Sequence, residues 1–99
     1  MTTELSVGRE VVSTLAECLE AIGHPTRLGI VQYCFQPHTF TEIILKLKLN
    51  PASFKFHVKV LMNCNLIEKV ERGVYETTQL GKLVLELVNK ANNLSSLRM

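Results

Sequence analysis

Nowhere does this 99-residue chain hold an uninterrupted apolar run near the ~18 residues a membrane-spanning helix needs. Its most apolar segment, Ile43 to Leu49, is broken by Lys46 and Lys48. Met1 to Glu10 lack the basic start and apolar block of a secretory leader. These absences indicate a soluble, cytoplasmic protein with no membrane partner. Cys18, Cys34 and Cys64 are odd in number and scattered, so they do not frame a disulfide-stapled domain and fit a reducing compartment. CxxC, HExxH and paired His/Cys clusters are missing, which excludes a zinc ribbon and a zinc protease. There is also no nucleophile–base pair, no phosphate-cradling glycine loop and no carboxylate cluster. Neither an enzyme nor a bound metal or cofactor is expected. Internal repeats and low-complexity segments are absent too.

What remains is 46% hydrophobic and 20% charged, the composition of one small globular domain spanning residues 1–99. The net charge of +2 is unevenly spread. Over residues 1–24, Arg9 stands against Glu4, Glu10, Glu17 and Glu20. Over residues 46–72, Lys46, Lys48, Lys55, Lys59, Lys69 and Arg72 stand against only Glu68 and Glu71. The middle of the chain therefore carries a modest cationic footprint suited to a polyanion, although a solvated helix face has the same composition.

Periodicity predicts mostly helix. Val11/Val12, Leu15, Cys18/Leu19 and Ile22 make a helical stripe from about Glu4 to Ile22, ended by Gly23. Pro25 suits the first turn of a second helix, with His24 as its cap and Leu28, Val31 and Cys34/Phe35 as its buried side. His38 is expected in a loop without a partner. Thr39-Phe40-Thr41-Glu42 fits a capping box and opens a short helix that buries Ile43, Ile44 and Leu47. Leu49 and Asn50 form a tight turn; Asn50 as cap and Pro51 as first residue then start a longer helix reaching about Cys64. Its inward stripe is Phe54, His57, Val58 and Leu61, leaving Ser53, Lys55, Phe56 and Lys59 to face elsewhere.

After Asn65 the period drops to two. Leu66–Glu71 and Val74–Thr77 read as a β-hairpin around Arg72-Gly73. Thr78 caps a last helix with Leu80, Leu83/Val84, Leu87/Val88, Ala91 and Leu94, and the tail from Asn92 is expected to fray. The fold class is mostly α with a small hairpin (α+β), in the order ααααββα. Residues 39–65 form a helix-turn-helix and residues 66–78 a wing. An α-helix fits the major groove while a flanking hairpin reaches phosphates or the minor groove. Lys55 and Lys59, one turn apart on that helix, with Lys69 and Arg72 on the hairpin, are the matching cations.

The residues themselves carry a resemblance. Ala21-Ile22-Gly23-His24-Pro25-Thr26-Arg27-Leu28-Gly29-Ile30 closely resembles the opening block of ArsR-type winged-helix repressors, and His57-Val58-Lys59-Val60-Leu61 followed by Asn65-Leu66-Ile67 resembles a second block of that family. The likeness covers about residues 15–78. It implies a homodimer, built from the first helix (1–22) and the last (79–94), that represses transcription at inverted-repeat DNA. It places Pro51, Ala52, Ser53, Lys55 and Phe56 at base-reading positions and assigns Lys59 and Arg27 to phosphates; Thr39 and Thr41 join the candidate DNA-facing residues. The dimer candidates are Val12, Leu15, Leu19, Leu80, Leu83, Val84, Leu87 and Ala91.

Two features depart from the metal-sensing members. Thr39 and Thr41 stand where those members carry paired cysteines, and the last helix offers no His and only Glu86 as a carboxylate. Hydroxyls do not ligate thiophilic metals, so metal sensing is not inherited. Ala52 and Phe56 cannot hydrogen-bond bases, which leaves methyl packing and groove shape. Any small-molecule effector is unspecified. Two other readings stay open at this stage: a winged helix that binds protein instead of DNA, and a DNA-binding variant switched by a ligand or by oxidation of Cys18 or Cys34.

Overall fold

Most helices begin where a side chain can accept an N–H that has no helical partner. The computed structural model describes residues 16–97, and α1 is described over residues 16–22. Helix α2 (Pro25–Tyr33) is capped by His24, whose Nδ1 accepts the Thr26 N–H at 3.2 Å. Strand β1 (His38–Thr39) runs straight into α3 (Phe40–Leu47) through the expected capping box. The Glu42 N–H donates to the Thr39 hydroxyl at 3.1 Å, and the Thr39 N–H donates to the Glu42 carboxylate at 2.8 Å. Asn50 caps α4 (Pro51–Asn63), accepting from the N–H groups of Ala52 and Ser53. Strands β2 (Ile67–Glu71) and β3 (Val74–Thr77) form the wing, and the Thr78 hydroxyl takes the Gly81 N–H at 3.0 Å to start α5 (Gln79–Leu97).

Helices α3 and α4 stop by the same device. Lys48 (φ 55°) and Asn65 (φ 58°) turn left-handed, and the next residues, Leu49 and Leu66, donate N–H bonds back to the Ile44 and Leu61 carbonyls, both at 2.9 Å. This satisfies carbonyls that would otherwise lack partners and sends each leucine inward. The turn of the helix-turn-helix is therefore a C-terminal motif of α3 joined directly to the N-cap of α4.

The order is thus ααβααββα, with one more strand than the sequence pattern predicts. β1 pairs antiparallel with β3, giving a three-stranded sheet ordered β1-β3-β2. His38 consequently has partners: its ring stacks on Tyr33 at 4.0 Å, and its Nδ1 lies 3.5 Å from the Glu42 carboxylate. A register irregularity between Lys69 and Glu71 and a left-handed Gly73 (φ 73°) shape the wing tip.

Ile30, Val31, Cys34, Ile43, Phe54, Leu61, Leu66 and Val84 form the centre of the core. Phe54 meets Phe40 and Tyr75 edge-on at 5.2 and 5.5 Å, locking α3, α4 and β3 to one another. Burying such a side chain contributes about 1.5–3 kcal/mol. Thr77 closes the end of α2: its hydroxyl donates to the Val31 carbonyl at 2.7 Å and its N–H to the Cys34 carbonyl at 2.8 Å.

Three packing expectations change. Phe35 lies past the last turn of α2 and is exposed, and Ile30 takes the core position instead. His57 is half-buried at the edge of the core. The last helix is described as far as Leu97, beyond the Leu94 end that the apolar stripe predicts.

Candidate nucleic-acid interface

Helix α4 turns Phe54, Val58 and Leu61 fully inward. At 3.6 residues per turn, Ala52 and Phe56 fall on the opposite side, with Lys55 and Lys59 along one flank and Ser53 along the other. Pro51, Ala52, Ser53, Lys55, Phe56 and Lys59 are all exposed, so the six residues expected to face DNA on this helix share one accessible surface.

The lysines do not stand alone. An open groove of about 340 Å³ runs between α4 and the wing, lined by Lys55, Lys59, Met62 and Asn63 from the helix and Lys69 and Tyr75 from the strands. Lys69 reaches this groove because β2 pairs it with Tyr75, and its Nζ lies 5.8 Å from that ring's centroid. Among the described residues no carboxylate lines the groove, and the ion pairs are His38–Glu42, Lys82–Glu76 and Lys90–Glu86. Among the described residues none of the three ammonium groups of the groove is paired with a carboxylate. Such a cleft favours a polyanion by Coulomb attraction and by release of condensed counterions. Arg72 is exposed at the wing tip beside Gly73.

Arg27 is placed differently from a free phosphate anchor. It is half-buried; its Nε donates to His57 Nδ1 at 3.1 Å and its Nη1 to the Ala21 carbonyl at 3.4 Å. The guanidinium carbon also lies 6.0 Å from the centroid of Phe56. His24 and His57 are ring neighbours at 4.8 Å. Burial, then the nearby His24 and Arg27, pushes the His57 pKa below its ordinary value. This cluster joins α1, α2 and α4, and no local pattern announces it.

Thr39 and Thr41 are exposed at the start of α3, and neither lines the groove. The Glu42 carboxylate occupies that helix end, held below the usual carboxyl range chiefly by the Thr39 backbone N–H. The anion-attracting end of α3 is therefore already neutralised from within.

Of the dimer candidates, Val12 and Leu15 lie outside the described residues. Val84 is a correction: at 1% exposure it belongs to the chain's own core, as does Leu85, and is closed to a partner. Leu80 is half-buried against that core. Leu83, Leu87 and Leu94 are 54%, 52% and 64% exposed and recur along one side of α5, with Ala91 also open; Leu19 on α1 is exposed too.

Cys18 and Cys34 do not resemble activated thiols. Burial pushes Cys34 up to about 12. Cys18 donates to the Cys64 carbonyl at 3.2 Å, and its pKa is raised mainly by burial and further by Cys64. A larger open groove of about 540 Å³ beside α5 includes Lys82, which is engaged by Glu76 at 3.9 Å and by the Phe35 ring at 4.8 Å. No group of three or more His, Cys, Asp or Glu residues able to hold a metal occurs among the described residues. No helix among them is long and apolar enough to cross a membrane.

A family profile described as winged helix-turn-helix matches residues 27–96. No curated protein matches the chain. Among solved structures, the homodimeric winged helix-turn-helix DNA-binding domain of a possible ArsR-family transcriptional regulator from Mycobacterium bovis superposes with a TM-score of 0.81 at 15% identity, covering 93% of this chain and 90% of that one. HlyU from Vibrio cholerae gives 0.70 at 18% identity over 81% and 92%. The transcriptional regulator HlyU from Vibrio vulnificus gives 0.64 at 20% identity over 89% and 97%.

Proposed function

The chain belongs to the winged helix-turn-helix family, and from that premise we propose that it is a sequence-specific, double-stranded DNA-binding transcriptional regulator, a repressor acting as a homodimer on an inverted-repeat operator. The observation that carries this reading is the groove in which Lys55, Lys59 and Lys69 converge without a carboxylate. A DNA backbone following that groove meets three cations while α4 lies in the adjacent major groove. Arg72 at the wing tip extends the contact to the neighbouring phosphates. Two copies of α4 about 34 Å apart would meet successive major grooves on one face of the duplex.

Self-association is supported by the leucines left open on α5, and by the homodimeric state of the similar Mycobacterium bovis domain. Within this scheme Arg27 works from inside the protein, through His57 and Phe56, and Thr39 serves chiefly to start α3.

Gel-shift titrations of the native protein and of Lys55→Ala/Lys59→Ala at two salt concentrations test the reading. The double variant is expected to bind more weakly to every sequence. The slope of log K against log salt should flatten by about 3.6 for the dimer, at roughly 0.9 for each of the four phosphates no longer neutralised. Unchanged affinity and slope would overturn the proposal.

A further inference from the structure

We propose that Phe56 is the residue by which this protein distinguishes bases, and that the group it receives is the C5-methyl of thymine in the major groove. The inference rests on the DNA-binding reading above and names the chemistry of its ligand.

Three observations converge on Phe56. It is 59% exposed, the most open aromatic ring among the large apolar side chains, yet it shares its helix with the exposed Lys55 and Lys59. It occupies the side of α4 opposite Phe54, Val58 and Leu61, so a helix entering a groove head-on presents Phe56 and Ala52 to the base edges and its lysines to one phosphate strand. Its ring also has two defined neighbours. The Arg27 guanidinium lies 6.0 Å from its centroid and the His57 ring meets it nearly edge-on at 5.4 Å. Arg27 is itself fixed by bonds to His57 Nδ1 and the Ala21 carbonyl. The ring is thus oriented without being covered.

A phenyl ring neither donates nor accepts a conventional hydrogen bond, so it cannot read the N7, O6 or amino groups of the bases. The one apolar group that a natural base pair displays in the major groove is the thymine methyl. Lys55 and Lys59 beside the ring make an apolar protein partner a poor occupant and a polyanion a good one. Ala52, one turn earlier, extends the same apolar strip. Phe56 is accordingly the specificity-determining residue, and Arg27 and His57 are positioning residues that act through it.

The test begins with selection of bound duplexes from a random 30-base-pair library by the full chain. Each thymine of the enriched duplex is then replaced singly by deoxyuridine, which removes only the methyl. At one or more positions in each half-site, native protein is expected to bind about three- to tenfold more weakly after the exchange. Phe56→Ala should bind the thymine and deoxyuridine duplexes equally, with the salt slope unchanged. Phe56→Leu, which keeps an apolar end, should retain part of the discrimination. Arg27→Lys preserves the charge but not the paired hydrogen bonds, and should narrow the thymine preference without altering the salt slope.

Absence of any enriched or bound duplex would overturn the DNA-binding reading itself. Enrichment with no response to deoxyuridine, or discrimination that survives in Phe56→Ala, would overturn this inference and leave that reading standing.

Discussion

Arg27 and His57, thirty positions apart, are joined by a 3.1 Å hydrogen bond in which the guanidinium Nε–H donates to the imidazole Nδ1. That bond requires Nδ1 to be free of a proton. It couples α2 to α4 through a titratable imidazole. Burial, His24 and Arg27 all disfavour the imidazolium in the folded protein.

Acid sensitivity is the first consequence. The folded pKa of His57 lies below its ordinary value of 6.5, so the unfolded chain takes up the proton first. The stability linked to this group is complete above about pH 6.5 and is lost as pH falls through the folded pKa. Urea midpoints measured from about pH 8 to about pH 5 should decline on the acid side. His57→Gln offers Arg27 an amide oxygen that does not titrate, and its decline should be shallower. Identical acid limbs in the two proteins would remove His57 as the cause.

Assembly gives a second expectation. Leu83, Leu87 and Leu94 on α5 are open in a single chain, whereas Val84 and Leu85 are consumed by its core. Leu83→Glu/Leu87→Glu should turn a dimer into a folded monomer in sedimentation equilibrium, with little change in the far-ultraviolet circular dichroism of dilute samples. Operator affinity should drop by tenfold or more once the two half-sites are no longer engaged together, on the order of the 10²–10⁴ gain that linked sites provide. A native protein that sediments as a monomer at all concentrations would refute the dimer.

Close approach of backbone to backbone supplies the third. A Cβ placed on Gly81 would collide with the Leu66 carbonyl and with Thr77 Cγ2, where α5 crosses the start of the wing. Because the obstacle is partly main chain, the helix has to move. Gly81→Ala should cost about 1–3 kcal/mol, despite the better helix propensity of alanine. Gly29 is the control: the nearest obstruction to a Cβ there is the Leu47 side chain at 4.0 Å, an ordinary van der Waals distance. Gly29→Ala should therefore be neutral or stabilising in the same denaturation series.

What the residues disclose in advance is local. The Thr39–Glu42 box and the Asn50–Pro51 start are readable because each cap and its target lie within three positions. The wing is readable because a period of two changes to a helical period at Thr78. β1 escapes notice because two residues carry no period, and its partner strand lies far down the chain. Arg27 reads as a free cation for a similar reason: its acceptor on α4 is set by the packing of helices. Val84 illustrates a different failure. Helix α5 carries two apolar strips, one against its own core and one open, and the sequence pattern merges them into a single stripe. On α4 the exposed positions are readable because the inward stripe of Phe54, Val58 and Leu61 is regular, but Lys69 joins Lys55 and Lys59 only through the hairpin register.

The Phe40 N–H donates to the Gly73 carbonyl at 2.9 Å, and β1 is stitched to β3 just below. The wing tip is thus lashed to the first residue of α3, and Phe54 in turn clamps α4 to the same unit. The hairpin and α4 are thereby tied to one another like the jaws of a caliper. On the proposed reading, a duplex seated between them has to supply the flexing, so pliant base steps outside the contacted pairs would sort one site from another by the elastic energy each demands.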